Sequence, residues 1–219
     1  MTTMPNDSAL IDFVLQLYGP DGVDPTKWDY LGTSDVGYVA AKLVNGVWIV
    51  VSRGSVTLED WLENAEAFPI EHPDIGRVHA GFLDGVMAHQ ANIEAIVQPP
   101  VICIGHSRGA AESDIRAGLL MRKFGPGAEV FSVGFGKPRP GFQELADLLG
   151  KNARWYANEG DPVCSVPSEF LGFEHPGERI DFAVAPVLKD PWGPVAPHHS
   201  ELYQIGVHAL VDAALASQA

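Results

Sequence analysis

The sequence predicts an α/β fold: a mostly parallel central sheet with helices on both faces and an N-terminal antiparallel hairpin. Three observations carry this expectation. From about Gly81 onward, helical patterns alternate with short apolar runs, the order that builds crossover units around a parallel sheet. Two of those runs, Val101 to Ile104 and Val130 to Phe135, are almost unbroken in apolar character, as strands covered on both faces should be. Asn45-Gly46 separates two β-rich runs, Gly37 to Lys42 and Val47 to Ser52, and an Asn-Gly pair favours a tight hairpin turn.

The remaining elements follow from spacing and punctuation. Ala9 to Tyr18 places Leu10, Ile11, Val14, Leu15 and Tyr18 at helical intervals, with Ser8 as N-cap and Gly19-Pro20 as the stop. Leu58 to Ala67 has a helical pattern that ends at Pro69. Gly81 to Val97 reads as one longer helix closed by Pro99-Pro100, and Gly109 to Phe124 as another. Phe142 to Leu149 is a short helix, Arg154 to Ala157 a third strand of weaker pattern, and Pro197 to Ala216 opens on two histidines and ends as a helix. The stretch from Pro176 to Pro197, rich in Pro and Gly, reads as a surface excursion within the domain.

Composition narrows the function. The 219 residues suffice for one well-buried domain, read here as 1–219. A formal net charge of -14 disfavours nucleic acid and anionic membranes as partners. No run is long and apolar enough to span a bilayer. The first eight residues lack a basic patch followed by an apolar core, so a cytoplasmic setting is expected. Cys103 and Cys164 make no disulfide framework. His72, Asp74 and His79, or His198 and His199, have no zinc-type spacing, so neither metal nor cofactor is expected.

The chemistry centres on Gly105-His106-Ser107-Arg108-Gly109, a G-x-S-x-G pentapeptide. Five residues are weak evidence alone. Here a buried strand ends just before them and a helix opens just after, the context in which such a serine stands on a strained turn with its hydroxyl exposed at a helix N-terminus. Serine needs a base to take its proton and an acid to orient that base. The acid candidates downstream are Glu159, Asp161, Glu169, Glu174, Asp181 and Asp190. Asp161 is favoured because it follows the third strand, in a loop at the sheet's carboxyl edge. The base candidates are His175, His198, His199 and His208, and spacing alone does not separate His198 from His199.

These motifs together resemble those of the class 3 (fungal-type) lipases, in order from about Val47 to Tyr203. Ser52-Arg53-Gly54-Ser55 resembles the family's R-G-[ST] strand end, Val78-His79-Ala80-Gly81-Phe82 its V-H-x-G-F, and Gly105 to Gly109 its G-H-S-x-G. Phe135 to Arg139 resembles F-G-x-P-R, Asn158 to Val163 resembles N-x-x-D-P-V, and His199 to Tyr203 resembles the closing H-S-x-x-x-Y. The resemblance implies an α/β-hydrolase fold with Ser107 as nucleophile, Asp161 as acid and His199 as base. It further implies an oxyanion hole from the backbone amides of Ser55 and Arg108. Two departures stand out. Arg108 occupies a position where the family usually has leucine, and His198 precedes the expected base, which keeps His198 as an alternative. Leu58 to Asn64, with Leu58, Trp61 and Leu62, takes the place of the family's lid helix.

The expected function is therefore a carboxylic ester hydrolase, lipase or esterase, acting through an acyl-enzyme on acylglycerol-like or short-chain esters. Its partners are a small-molecule or lipid ester and, at most, a transiently contacted lipid surface. The rival expectations are an esterase for phospholipid or aromatic and glycan esters, and a binding protein that keeps the fold without catalysis.

Overall fold

A computed structural model of the chain describes residues 3–18, 23–35, 37–54, 68–186 and 193–217. Its strands, in chain order, are β1 (Tyr30–Thr33), β2 (Tyr38–Val44), β3 (Val47–Ser52), β4 (Pro69–His72), β5 (Gly76–His79), β6 (Val101–His106), β7 (Val130–Phe135), β8 (Ala153–Asn158) and β9 (Glu178–Phe182). The helices are α1 (Asp7–Leu15), α2 (Ala80–Met87), α3 (Gln90–Ile96), α4 (Arg108–Phe124), α5 (Gln143–Leu149) and α6 (Ser200–Ala216). Seven strands form one sheet in the order β1-β2-β3-β6-β7-β8-β9, and β4 and β5 form a separate antiparallel pair. From β3 to β9 all neighbours are parallel, while β1, β2 and β3 run antiparallel. The expected architecture is thus present.

The unbroken apolar runs have a simple cause. Successive side chains of a strand point to opposite faces, and both faces here are covered. In β6, Val101 and Cys103 enter one core with Phe82 and Val86 of α2, Ile93 of α3, Ile115 and Leu120 of α4 and Leu145 of α5. Ile102 and Ile104 enter a second core with Leu10, Ile11 and Val14 of α1 and Tyr203 and Val207 of α6. Each such aliphatic side chain contributes about 1.5–3 kcal/mol when fully buried. The consequence for function is positional. Two packed layers fix the carboxyl ends of β3, β6, β7 and β8, the edge on which the candidate residues gather.

Four features differ from the sequence reading. α1 is capped by Asn6, whose side chain accepts the Ala9 N–H at 3.0 Å, and Ser8 lies inside the first turn. Gly81 to Val97 is two helices, broken at Ala88 and His89. There the His89 ring lies 3.3 Å from the Tyr30 hydroxyl and is buried against β1. The Pro176 to Pro197 excursion contains β9, an edge strand whose exposed Glu178, Arg179 and Asp181 give it a polar look. β1 and the β4–β5 pair had no expected counterpart. The expected helix at Leu58 to Ala67 lies outside the described residues.

Candidate active site

Ser107 stands between β6 and α4 with φ 60 and ψ -135. A positive φ is costly for a residue with a Cβ, of order 1–3 kcal/mol, and persists only where the surroundings enforce it. Here they do. The Ser107 N–H donates to the Phe135 carbonyl at 2.9 Å. Gly105 and Gly109 let strand, turn and helix close up: a Cβ at Gly105 would sit 2.3 Å from the Gly109 carbonyl carbon, and one at Gly109 2.1 Å from the Ser52 oxygen. Ser107 Oγ is buried, with no partner among the described residues.

The acid and a histidine meet beyond β8. Asp161 begins a short 3-10 turn over Pro162–Ser165, and its Oδ1 accepts the Val163 N–H at 2.9 Å. Its Oδ2 accepts His198 Nδ1–H at 2.6 Å and the Tyr203 hydroxyl at 2.5 Å. Burial alone would raise the carboxyl, but the His198 bond and charge, with Tyr203 and Val163, outweigh it and hold Asp161 below the usual carboxylate range. With Nδ1–H given to the carboxylate, His198 Nε2 keeps its lone pair. That atom is also buried without a partner among the described residues.

Of the two candidate bases, the structure seats His198, the alternative, on Asp161, and places His199 elsewhere. The 3-10 turn Gly193–His198 ends at His198, which is 1% exposed. His199 follows as N-cap of α6, its ring part exposed and 3.8 Å from Glu201. Three neighbours hold His198 in place. His106 Nε2–H donates to the His198 carbonyl at 2.9 Å, and the two rings lie 4.5 Å apart. The Asn158 amide donates to the carbonyls of Val184 and Pro197, pinning the chain just before His198. Gly136, at φ 58, leaves room for the imidazole, since a Cβ there would stand 2.8 Å from His198 Cε1.

Arg108 turns its side chain away along α4. Its Nε donates to Glu112 at 2.7 Å and its Nη2 to the Gly81 carbonyl of α2 at 3.0 Å. Burial raises the Glu112 carboxyl to about 7 against the pull of Arg108 and Arg116. Gly85 makes space for the pair, because a Cβ there would meet Glu112 Oε1 at 2.3 Å. The backbone N–H of Arg108 belongs to the first turn of α4, where amides lack an intrahelical acceptor. Ser55, Leu58, Trp61 and Leu62 lie outside the described residues.

Sequence reasoning missed several of these partners. Tyr203 closes the segment His199 to Tyr203, which reads H-S-x-x-Y, and Gly136 sits inside F-G-x-P-R, so both were visible without an assigned role. Glu112 and Tyr18 carry no local signal. Tyr18, at the end of the first helical segment, accepts the Gly54 N–H on its hydroxyl at 2.7 Å.

Comparison with known proteins bears on this arrangement. A match to the class 3 lipase family runs over residues 49–171, more than half of the chain. The chain belongs to the class 3 lipase family. It is 32% identical over 145 residues to a lipase of Rhizomucor miehei, covering 59% of this chain and 40% of that protein. It is 28% identical over 157 residues to the secreted mono- and diacylglycerol lipase A of Penicillium cyclopium, covering 65% and 50%. Among solved structures, the native Rhizomucor miehei lipase propeptide complex superposes with a TM-score of 0.71 at 21% identity, over 80% of this chain and 67% of that one. This likeness shows the fold. The family member described here thus spans about half or less of the length of the curated relatives it matches. The expected cytoplasmic setting is corrected by the Penicillium match, which is to a secreted enzyme. No helix among the described residues is long and apolar enough to cross a membrane.

Two buried histidines and one half-buried one make the fold acid-sensitive. Burial lowers His106 to about 3, His79 to about 4 and His175 to about 2, from an ordinary 6.5. Each stays neutral in the folded chain but takes a proton on unfolding below pH 6.5. Stability from these groups is therefore complete above that pH and is lost as pH falls through 6.5 toward 4. At pH 5 the loss is on the order of 5 kcal/mol for the three together. Thermal melts at pH 7.5 and pH 5.0 check this: the raised Glu112 carboxyl gains stability over the same range and offsets part of the loss, so the midpoint should still drop at pH 5.0, and a higher midpoint there would contradict it.

Proposed function

We propose that the chain is a carboxylic ester hydrolase working through an acyl-enzyme, with Ser107 as nucleophile, His198 as base and Asp161 as the acid that orients it. The observation that carries this reading is the buried Asp161–His198 hydrogen bond of 2.6 Å, with the His198 ring 4.5 Å from that of His106, the residue just before the strained Ser107. His198 Nε2 takes the serine proton as Oγ attacks the ester carbonyl, then returns it to the leaving alcohol. Water repeats the cycle on the acyl-enzyme. Asp161 stays ionised and steadies the imidazolium. The amides of Arg108 and Ser55 serve the developing oxyanion, each worth roughly 3 to 4 kcal/mol.

The substrate we propose is an acylglycerol-like or short-chain ester, supported by the lipase names of the Rhizomucor and Penicillium relatives. Residues 1–219 act as one α/β-hydrolase domain, and the secreted Penicillium relative supports an extracellular place of work. The test is hydrolysis of nitrophenyl esters over a series of acyl lengths. Saturable turnover that is abolished by prior treatment with a fluorophosphonate is expected. Absence of turnover at every length would contradict the proposal.

A further inference from the structure

The acid-base chemistry above leaves one donor beside the nucleophile unused: the hydroxyl of Tyr18. Its oxygen accepts the Gly54 N–H at 2.7 Å. No acceptor for the phenolic proton is found among the described residues. Burial raises the phenol well above its ordinary range, against the Gly54 N–H and Arg53, so it stays a neutral O–H donor at working pH. The ring is held edge-on to His106 at 6.0 Å, and the Arg53 guanidinium lies 5.5 Å from its centre.

Its position follows from Gly54. A Cβ there would meet the Tyr18 hydroxyl oxygen at 2.6 Å, the His106 carbonyl at 2.7 Å and Ser107 Cβ at 3.0 Å. The phenol and the side chain of Ser107 therefore border one point, which only a glycine leaves open. The Gly54 amide, engaged by Tyr18, is not itself a donor to substrate. The same bond polarises the phenolic O–H and strengthens it as a donor.

We propose that the Tyr18 hydroxyl donates to the oxyanion formed when Ser107 attacks an ester, beside the backbone amides; this rests on the hydrolase reading above. In that step the Oγ–C bond forms, the carbonyl π pair moves to oxygen, and the serine proton passes to His198 Nε2. Tyr18 gives a hydrogen bond and keeps its proton.

Tyr18→Phe tests this, since it keeps the ring and removes only the hydroxyl. Loss of one oxyanion donor typically costs about 10²–10³ in kcat. We expect that fall in kcat with little change in KM, and a rise by a similar factor in the Ki of an alkyl boronic acid, whose tetrahedral adduct on serine presents the same oxygen. Activity near wild type would overturn the proposal. So would a fall in kcat with an unchanged boronate Ki, because the phenol would then only prop Gly54. Should Tyr18→Phe not fold, 3-fluorotyrosine at position 18 reads the same contact: its fluorine resonance should shift when the boronate binds, and an unmoved signal overturns the proposal. Wild-type protein that takes up no boronate would sink the hydrolase reading itself, and this proposal with it.

Discussion

His198→Ala is expected to lower kcat on a short nitrophenyl ester by about 10⁴–10⁶, the scale on which removal of a base silences a serine nucleophile. His199→Ala should stay within a few-fold of wild type. The reason is geometric. One nitrogen of His198 is fixed by Asp161 at 2.6 Å and the other is buried with no partner among the described residues. His199 has turned toward Glu201 on the first turn of α6. Truncating His198 also strips Asp161 of one of its bonds, but Tyr203 and Val163 still hold the carboxylate. The variant should therefore fold, which circular dichroism checks. Steady-state kinetics of the two variants side by side decides the matter. A silent His199→Ala beside an active His198→Ala would reverse the assignment.

Lys137→Met is expected to cost about 3–5 kcal/mol of stability, the usual consequence of leaving one member of a buried ion pair alone. Lys137 Nζ donates to Asp114 Oδ2 at 2.5 Å, and both side chains are fully buried. Burial pushes Asp114 up and Lys137 down, and each opposes the other's shift. The ammonium also donates to the Pro176 carbonyl at 3.1 Å, and Ser132 donates to the other Asp114 oxygen at 2.6 Å. The pair thus ties α4, which starts just after Ser107, to β7 and to the chain leading into β9. For a chain of this size the loss is a fall of roughly 10 °C in melting midpoint. Adding Asp114→Leu removes the stranded carboxylate and should recover most of it, since an apolar replacement of both partners is often neutral. Differential scanning calorimetry on wild type, Lys137→Met and the double variant checks this. A single variant as stable as wild type would contradict it.

Much of this was legible in the sequence where physics acts locally. The apolar runs of β6 and β7 announce their burial because both faces of the sheet are covered. The glycines around Ser107 announce the turn because no larger residue fits between Ser52 and α4. What stayed hidden depends on the third dimension. His198 and His199 are neighbours in the same short segment, and only the end of a 3-10 turn decides which ring faces Asp161. β9 was hidden because an edge strand shows charged residues to solvent and so lacks a clean alternation. Glu112 and Lys137 look like surface residues of a helix and a loop, yet both are buried by partners far away in the chain. Tyr18 reads as the last apolar residue of a helix. Its hydroxyl matters only because α1 packs against the end of β3, 36 residues later.

The arrangement stands on Ser107 being the atom that is acylated. The most direct measurement is mass mapping of the protein after reaction with a fluorophosphonate. A single adduct on the peptide carrying Ser107, absent in Ser107→Ala and formed far more slowly in His198→Ala, is the predicted result. An adduct at another residue, or labelling of Ser107 at the same rate without His198, would contradict the account.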